Sequence, residues 1–76
     1  MEDLVLTLVR GLVDHPEDVR VNVIEDDSSI LYELTVHPDD VGKVIGKGGR
    51  IIKAVRVVVT TAQARSGKRI AVEIAS

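Results

Sequence analysis

The chain has 76 residues, 45% of them hydrophobic and 29% charged, with a formal net charge of −2 and no cysteine. A chain this short buries only about 60% of its unfolded surface, so it holds one domain with a slender core, and the missing thiols exclude a disulfide, a thiolate zinc site and a cysteine nucleophile. No apolar run approaches the roughly 20 residues that span a bilayer, and the acidic start Met1-Glu2-Asp3 lacks the positive region of a signal peptide, so the expectation is a soluble, cytoplasmic protein without membrane contact.

Val5, Leu8, Val9 and Leu12 follow the i, i+3, i+4, i+7 pattern, widened by Leu4 and Val13, which predicts an amphipathic helix over residues 2–14. Gly11 weakens it and His15-Pro16 ends it, because the residue before a proline is pushed out of the α region. Val19, Val21 and Val23 alternate with Arg20, Asn22 and Ile24 as a strand, and Glu25-Asp26-Asp27-Ser28-Ser29 reads as a hairpin turn. Ile30, Tyr32, Leu34 and Val36 then alternate with Leu31, Glu33, Thr35 and His37 as its antiparallel partner. Pro38 closes that strand, and Asp39 or Asp40 is placed to cap a short helix whose apolar face carries Val41, Val44 and Ile45.

Next comes Gly46-Lys47-Gly48-Gly49, a flexible cationic turn between two apolar segments. Beyond it the local signals conflict. Ile51, Ile52, Val55, Val57, Val58, Val59, Thr60 and Thr61 are β-branched and favour a strand. However, Ile51, Val55, Val58 and Ala62 recur at helical spacing, and a segment from Arg50 to about Arg65 is too long for a usual strand, so a helix is predicted. Ser66-Gly67 closes it, and Ile70, Val72 and Ile74 alternate with Arg69, Ala71 and Glu73 as the last strand. The order α-β-β-α-α-β predicts an α+β fold in which a mixed three-stranded sheet carries three helices on one face, the second and third strands being parallel if they adjoin.

The small net charge hides a segregation along the chain. Residues 1–40 hold eleven acids and two bases, a net of −9, while residues 41–69 hold eight bases and no acid. The basic block coincides with the glycine turn, where residues without Cβ let a phosphodiester chain come close and where N–H groups, Lys47 and Arg50 supply donors and charge. Other phosphate motifs fail on spacing. Gly42 and Gly46 are one residue too close for a Walker loop and Gly48 stands where its Ser or Thr belongs; Ile51 replaces the third glycine of a dinucleotide fingerprint.

Ile45-Gly46-Lys47-Gly48-Gly49-Arg50-Ile51-Ile52 resembles the I-G-x-x-G-x-x-I signature of KH domains, and the element order resembles their type II, prokaryotic arrangement. The likeness covers the whole chain, with a helix-strand extension over 1–28 and the KH motif over 29–76, and it is similar to the KhpA family of small bacterial single-KH RNA-binding proteins. The resemblance implies a groove for about four unpaired nucleotides. By position, Gly46, Lys47, Gly48 and Gly49 clamp the backbone, Val44, Ile45 and Ile52 floor the groove, and Lys43, Arg50 and Lys53 flank it as cations. It also implies an RNA chaperone or post-transcriptional regulator that works with a larger KH-containing partner, KhpB (Jag), and bears on cell shape and envelope synthesis. No cofactor, metal or small-molecule substrate is implied. His15 and His37 read as element boundaries, the paired aspartates as turn and cap residues, and Ser28 and Ser29 as turn residues without an activating base, so catalysis is not expected. Tyr32, the lone aromatic, is expected to pack rather than stack on a base. The competing expectation is an assembly module whose apolar surface docks a partner or a second copy.

Overall fold

Helix α1, Glu2–Arg10, starts with Glu2 and Asp3 and ends with Arg10, each charge opposing the helix dipole at its own end. Its buried residues are Val5 and Val9, one turn apart. In this computed structural model, which describes residues 1–75, α1 stops at Arg10 rather than at residue 14. Gly11 is a poor helix former, Leu12 N–H folds back on Val9 O at 3.0 Å, and the N–H groups of Asp14 and His15 turn away to the Asp40 carboxylate at 3.3 and 3.0 Å. Side-chain acceptors thus take over donors that a longer helix would have used.

Strand β1 (Arg20–Glu25) pairs antiparallel with β2 (Ser29–Thr35), placing Val21 opposite Leu34 and Val23 opposite Tyr32. The turn is held by Asp26 Oδ1, which accepts the N–H groups of Ser28 and Ser29 at 2.8 and 2.7 Å; these bonds, with those of the two hydroxyls, hold its carboxyl below the usual range. Strand β3 (Arg69–Ile74) runs parallel to β2 on its other side, so β2 is the centre and β3 a free edge. The predicted alternation holds: Ile30, Tyr32, Leu34 and Val72 are buried on one face and meet Val5, Val9, Val44, Val55 and Val59 from the three helices. Tyr32 is packed, as expected, and its hydroxyl accepts a hydrogen bond from the Gln63 amide.

His37-Pro38 leads into a 3-10 turn, Pro38–Asp40, and helix α2, Val41–Ile45. Neither Asp39 nor Asp40 caps α2 with its side chain as expected; the side-chain cap in this segment belongs to the 3-10 turn, where His37 Nδ1 accepts Asp39 N–H at 3.0 Å. Asp40 is fully buried and serves the α1–β1 connection instead. Helix α3, Arg50–Ala62, confirms that periodicity overrides β-branched propensity here, although it ends before Arg65, at a 3-10 turn over Ala64–Ser66 followed by Gly67 at φ +71. Its core stripe also differs from the predicted one. Val55 and Val59 are buried with Ile52 packed beside them, whereas Val58 and Ala62 are exposed and Ile51 only half-buried. Two apolar stripes share this helix, and only the tertiary fold decides which one the sheet covers. Among the described residues no helix is long and apolar enough to cross a membrane.

Candidate nucleic-acid interface

Helices α2 and α3 form a corner whose bend is the segment 46–49. Gly46 has φ +76 and ψ 172, a combination open essentially to glycine alone, and a Cβ there would stand 2.5 Å from Ile51 Cγ1. Gly48 and Gly49 follow at φ +65 and +75 in the left-handed region. Gly46 N–H closes α2 on Gly42 O at 2.9 Å, and Gly49 N–H closes the bend on Gly46 O at 3.1 Å. α3 then begins at Arg50, so the positive end of its dipole stands at the bend, a setting that favours an anion.

The cations of the basic block are not equivalent once folded. Lys43 is paired with Asp14 and lies 3.5 Å from Asp40, which together raise its pKa, chiefly through the hydrogen bond that its ammonium donates to Asp14; Lys68 is paired with Glu25 at 2.6 Å. Lys47, Arg50 and Lys53, around the glycine bend, have no carboxylate within 4 Å among the described residues, nor have Arg56, Arg65 and Arg69 farther along the block. Three of the block's six unpaired bases thus stand at the bend, which gives an acidic chain a local basic surface there.

Beside the bend runs a groove of about 410 Å³ between the helical corner and the sheet edge, lined by Ile45, Ile52 and Arg56 and by Val72, Glu73 and Ile74 of β3. Of the expected floor residues, Ile45 (37% exposed) and Ile52 line it; Val44 is buried in the core beneath. Arg56 and the β3 residues were not singled out from the sequence. The alternation of Ile70, Val72 and Ile74 signalled the strand, but not that it is a free edge. Arg69 N–H donates to Ser28 O and Ala75 N–H to Leu34 O, so these two residues turn toward β2 and the N–H and C=O groups of Ile70, Val72 and Ile74 turn outward. Arg56 Nη2 donates to one of them, Val72 O, at 3.5 Å. The groove therefore joins apolar side chains to a ladder of backbone donors and acceptors.

A second apolar groove, about 360 Å³, opens between α1 and α3 and is lined by Leu8, Leu12, Ile51, Ala54, Val55 and Val58, with Arg50 at its rim. It accounts for the second stripe on α3. No group of three or more histidine, aspartate or glutamate side chains is arranged to hold a metal among the described residues.

A helix-GxxG-helix corner against the edge of a mixed sheet, in the order α-β-β-α-α-β, defines a type II KH domain. The sequence profile of the family described as KhpA/KhpB, KH domain matches residues 2–74, so the chain belongs to that family. Among its relatives, "RNA-binding protein KhpA" of Oceanobacillus iheyensis is 51% identical over 74 residues, covering 97% of this chain and 99% of the relative. Proteins of the same name from Listeria monocytogenes (49%, covering 97% of each chain) and Caldanaerobacter subterraneus (50%, covering 97% and 99%) are similarly close. No solved structure gives a significant match.

Proposed function

We propose that this protein is a non-enzymatic RNA-binding protein of the cytoplasm that grips about four nucleotides of single-stranded RNA. The observation that carries the reading is the glycine bend at the start of α3, with unpaired Lys47, Arg50 and Lys53 around it and the groove alongside. Gly46, Lys47, Gly48 and Gly49 hold the sugar-phosphate backbone while Arg50 and Lys53 neutralise neighbouring phosphates; Lys43 adds to the field from behind its ion pair. Bases lie on Ile45, Ile52 and Ile74, with Val44 and Val72 supporting them from the core, and their edges reach Arg56 and the outward backbone groups of β3. With no aromatic platform in the groove, stacking contributes little, and both affinity and base preference are modest. The names of the relatives support RNA as the ligand, and family membership supports a chaperone or regulatory role, with a KhpB (Jag) type partner and a link to cell shape and envelope synthesis. Replacing Lys47 and Gly48 by aspartate tests the site: binding to a single-stranded RNA pool is lost while the circular dichroism spectrum is kept. Unchanged affinity in a folded variant refutes it.

The α1–α3 groove favours a second reading, in which the chain is chiefly an assembly module and a second copy or a larger KH protein covers Leu12, Ile51 and Val58. Sedimentation at several concentrations, with and without RNA, separates the two: a tight dimer indifferent to RNA supports assembly.

A further inference from the structure

The groups that the RNA reading leaves unused converge behind helix α2. Asp40 has no exposed surface, although it is a carboxylate in a slender domain. It accepts the N–H groups of Asp14 and His15 and the His15 ring at 3.1 Å, and Lys43 approaches it at 3.5 Å, so it is fully partnered. It thereby ties the end of the first helical segment to the root of the helix that carries the glycine bend. Above this tie the His15 ring lies flat on the His37 ring, with centroids 4.0 Å apart and planes 15° from parallel.

The two rings are wired oppositely. His15 Nδ1 faces a carboxylate and must donate, which suits either the Nδ1–H tautomer or the cation. His37 Nδ1 accepts Asp39 N–H, so it must carry no proton. A proton gained by His15 strengthens the tie to Asp40. One gained at His37 Nδ1 removes the only side-chain cap of the 3-10 turn, turns that nitrogen toward the Asp39 carboxylate 3.7 Å away, and sets two like charges face to face. The charged groups around the pair are Asp40, Asp39, Asp14 and Lys43, with Glu17 and Asp18 acting on His15 at longer range.

We propose that His37, stacked on the Asp40-bound His15, is a positioning residue for the RNA-gripping bend: its unprotonated Nδ1 caps the 3-10 turn that leads directly into α2, and its protonation shifts that turn, α2 and the Gly46–Gly49 segment α2 presents. The capped turn runs without a break into α2, which is five residues long and ends at Gly46, so a single short helix separates His37's cap from the bend. The consequence for RNA rests on the proposed grip; the structural coupling does not.

The test compares the wild type with His37→Asn, whose side-chain oxygen still accepts Asp39 N–H but takes no proton. Amide and imidazole resonances of the free proteins are followed from pH 8 to pH 5, the range in which histidines change charge. The amides of Asp39, Gly46, Gly48 and Gly49 move together with the His37 ring in the wild type, and that step is absent in His37→Asn. Loop amides that stay still while His37 titrates, or that move equally in the variant, overturn the proposal. In a parallel titration with a fluorescent single-stranded RNA, the affinities of the two proteins agree at pH 8, and the wild type falls several-fold behind the variant toward pH 5. Equal affinities throughout overturn the transmission to RNA. Absence of binding by either protein at every pH counts against the RNA reading, and the amide titration still decides the coupling.

Discussion

Gly46→Ala isolates the backbone geometry on which the whole corner depends. At φ +76 and ψ 172 a side chain strains the backbone by about 1–3 kcal/mol. The new Cβ would also meet Ile51 Cγ1 at 2.5 Å and Ile51 Cβ and Cδ1 at 2.9 Å, near a branch point with little room to yield, adding overpacking of about 1–3 kcal/mol. Restricting the unfolded chain returns only about 0.4–1 kcal/mol. The loss is thus about 1–6 kcal/mol, against a total stability of about 4–11 kcal/mol for a domain of this length. Gly48→Ala is the control. It also has positive φ, at +65, but nothing lies within 4 Å of its Cβ, so it loses only about 1 kcal/mol. Urea denaturation monitored by circular dichroism measures both. Ile51→Ala, made alone and with Gly46→Ala, completes a double-mutant cycle in which truncating Ile51 recovers at least 0.5 kcal/mol. The reasoning is refuted if Gly46→Ala and Gly48→Ala are equally stable, or if the cycle shows no coupling.

Three further outcomes are expected. Leu34→Ala, at a fully buried position on the central strand, lowers the unfolding free energy by about 2–5 kcal/mol in the same urea assay. Two linked groups give stability an opposite dependence on pH at each end. The hydrogen bond to Asp40 raises the His15 pKa against desolvation, so its contribution is full below the ordinary value of 6.5 and is lost as pH rises through the higher folded value. For Asp40, burial works to raise the pKa, but the bonds from Asp14 and His15 outweigh it, so its contribution is full above 3.8 and is lost as pH falls through the lower folded value. The urea midpoint of the wild type relative to His15→Asn therefore falls between pH 6 and pH 9. If the proposed grip neutralises two to four phosphates, log affinity against log salt has a slope of about −1.4 to −2.8; Lys53→Ala reduces its magnitude by about 0.7, and Lys43→Ala by less because Asp14 and Asp40 already engage that charge. Fluorescence anisotropy across a salt series reads both.

Much of this protein was legible along the chain because its signals are local and periodic. The alternation of Ile30, Tyr32 and Leu34 marked the central strand and its buried face, the spacing within 50–62 overcame a run of β-branched residues, and the glycines of 46–49 announced a bend that only they allow. Element order then predicted the α+β architecture and parallel β2–β3 pairing, and the flanking isoleucines carried the resemblance to KH domains. The decisions left to the tertiary structure all concern partners distant in sequence. Asp40 resembled a helix cap until it met His15, 25 positions away, and α1 lost its last turn to the same carboxylate. Lys43 belonged to an acid-free stretch until the fold brought Asp14 to it across 29 positions. The α3 stripe facing the sheet and the edge status of β3, with the groove built against it, likewise depend on which surfaces meet. Periodicity determines what each element is, because neighbours along the chain share one backbone geometry; which charges are cancelled and which edges stay open is settled only when packing brings remote segments together.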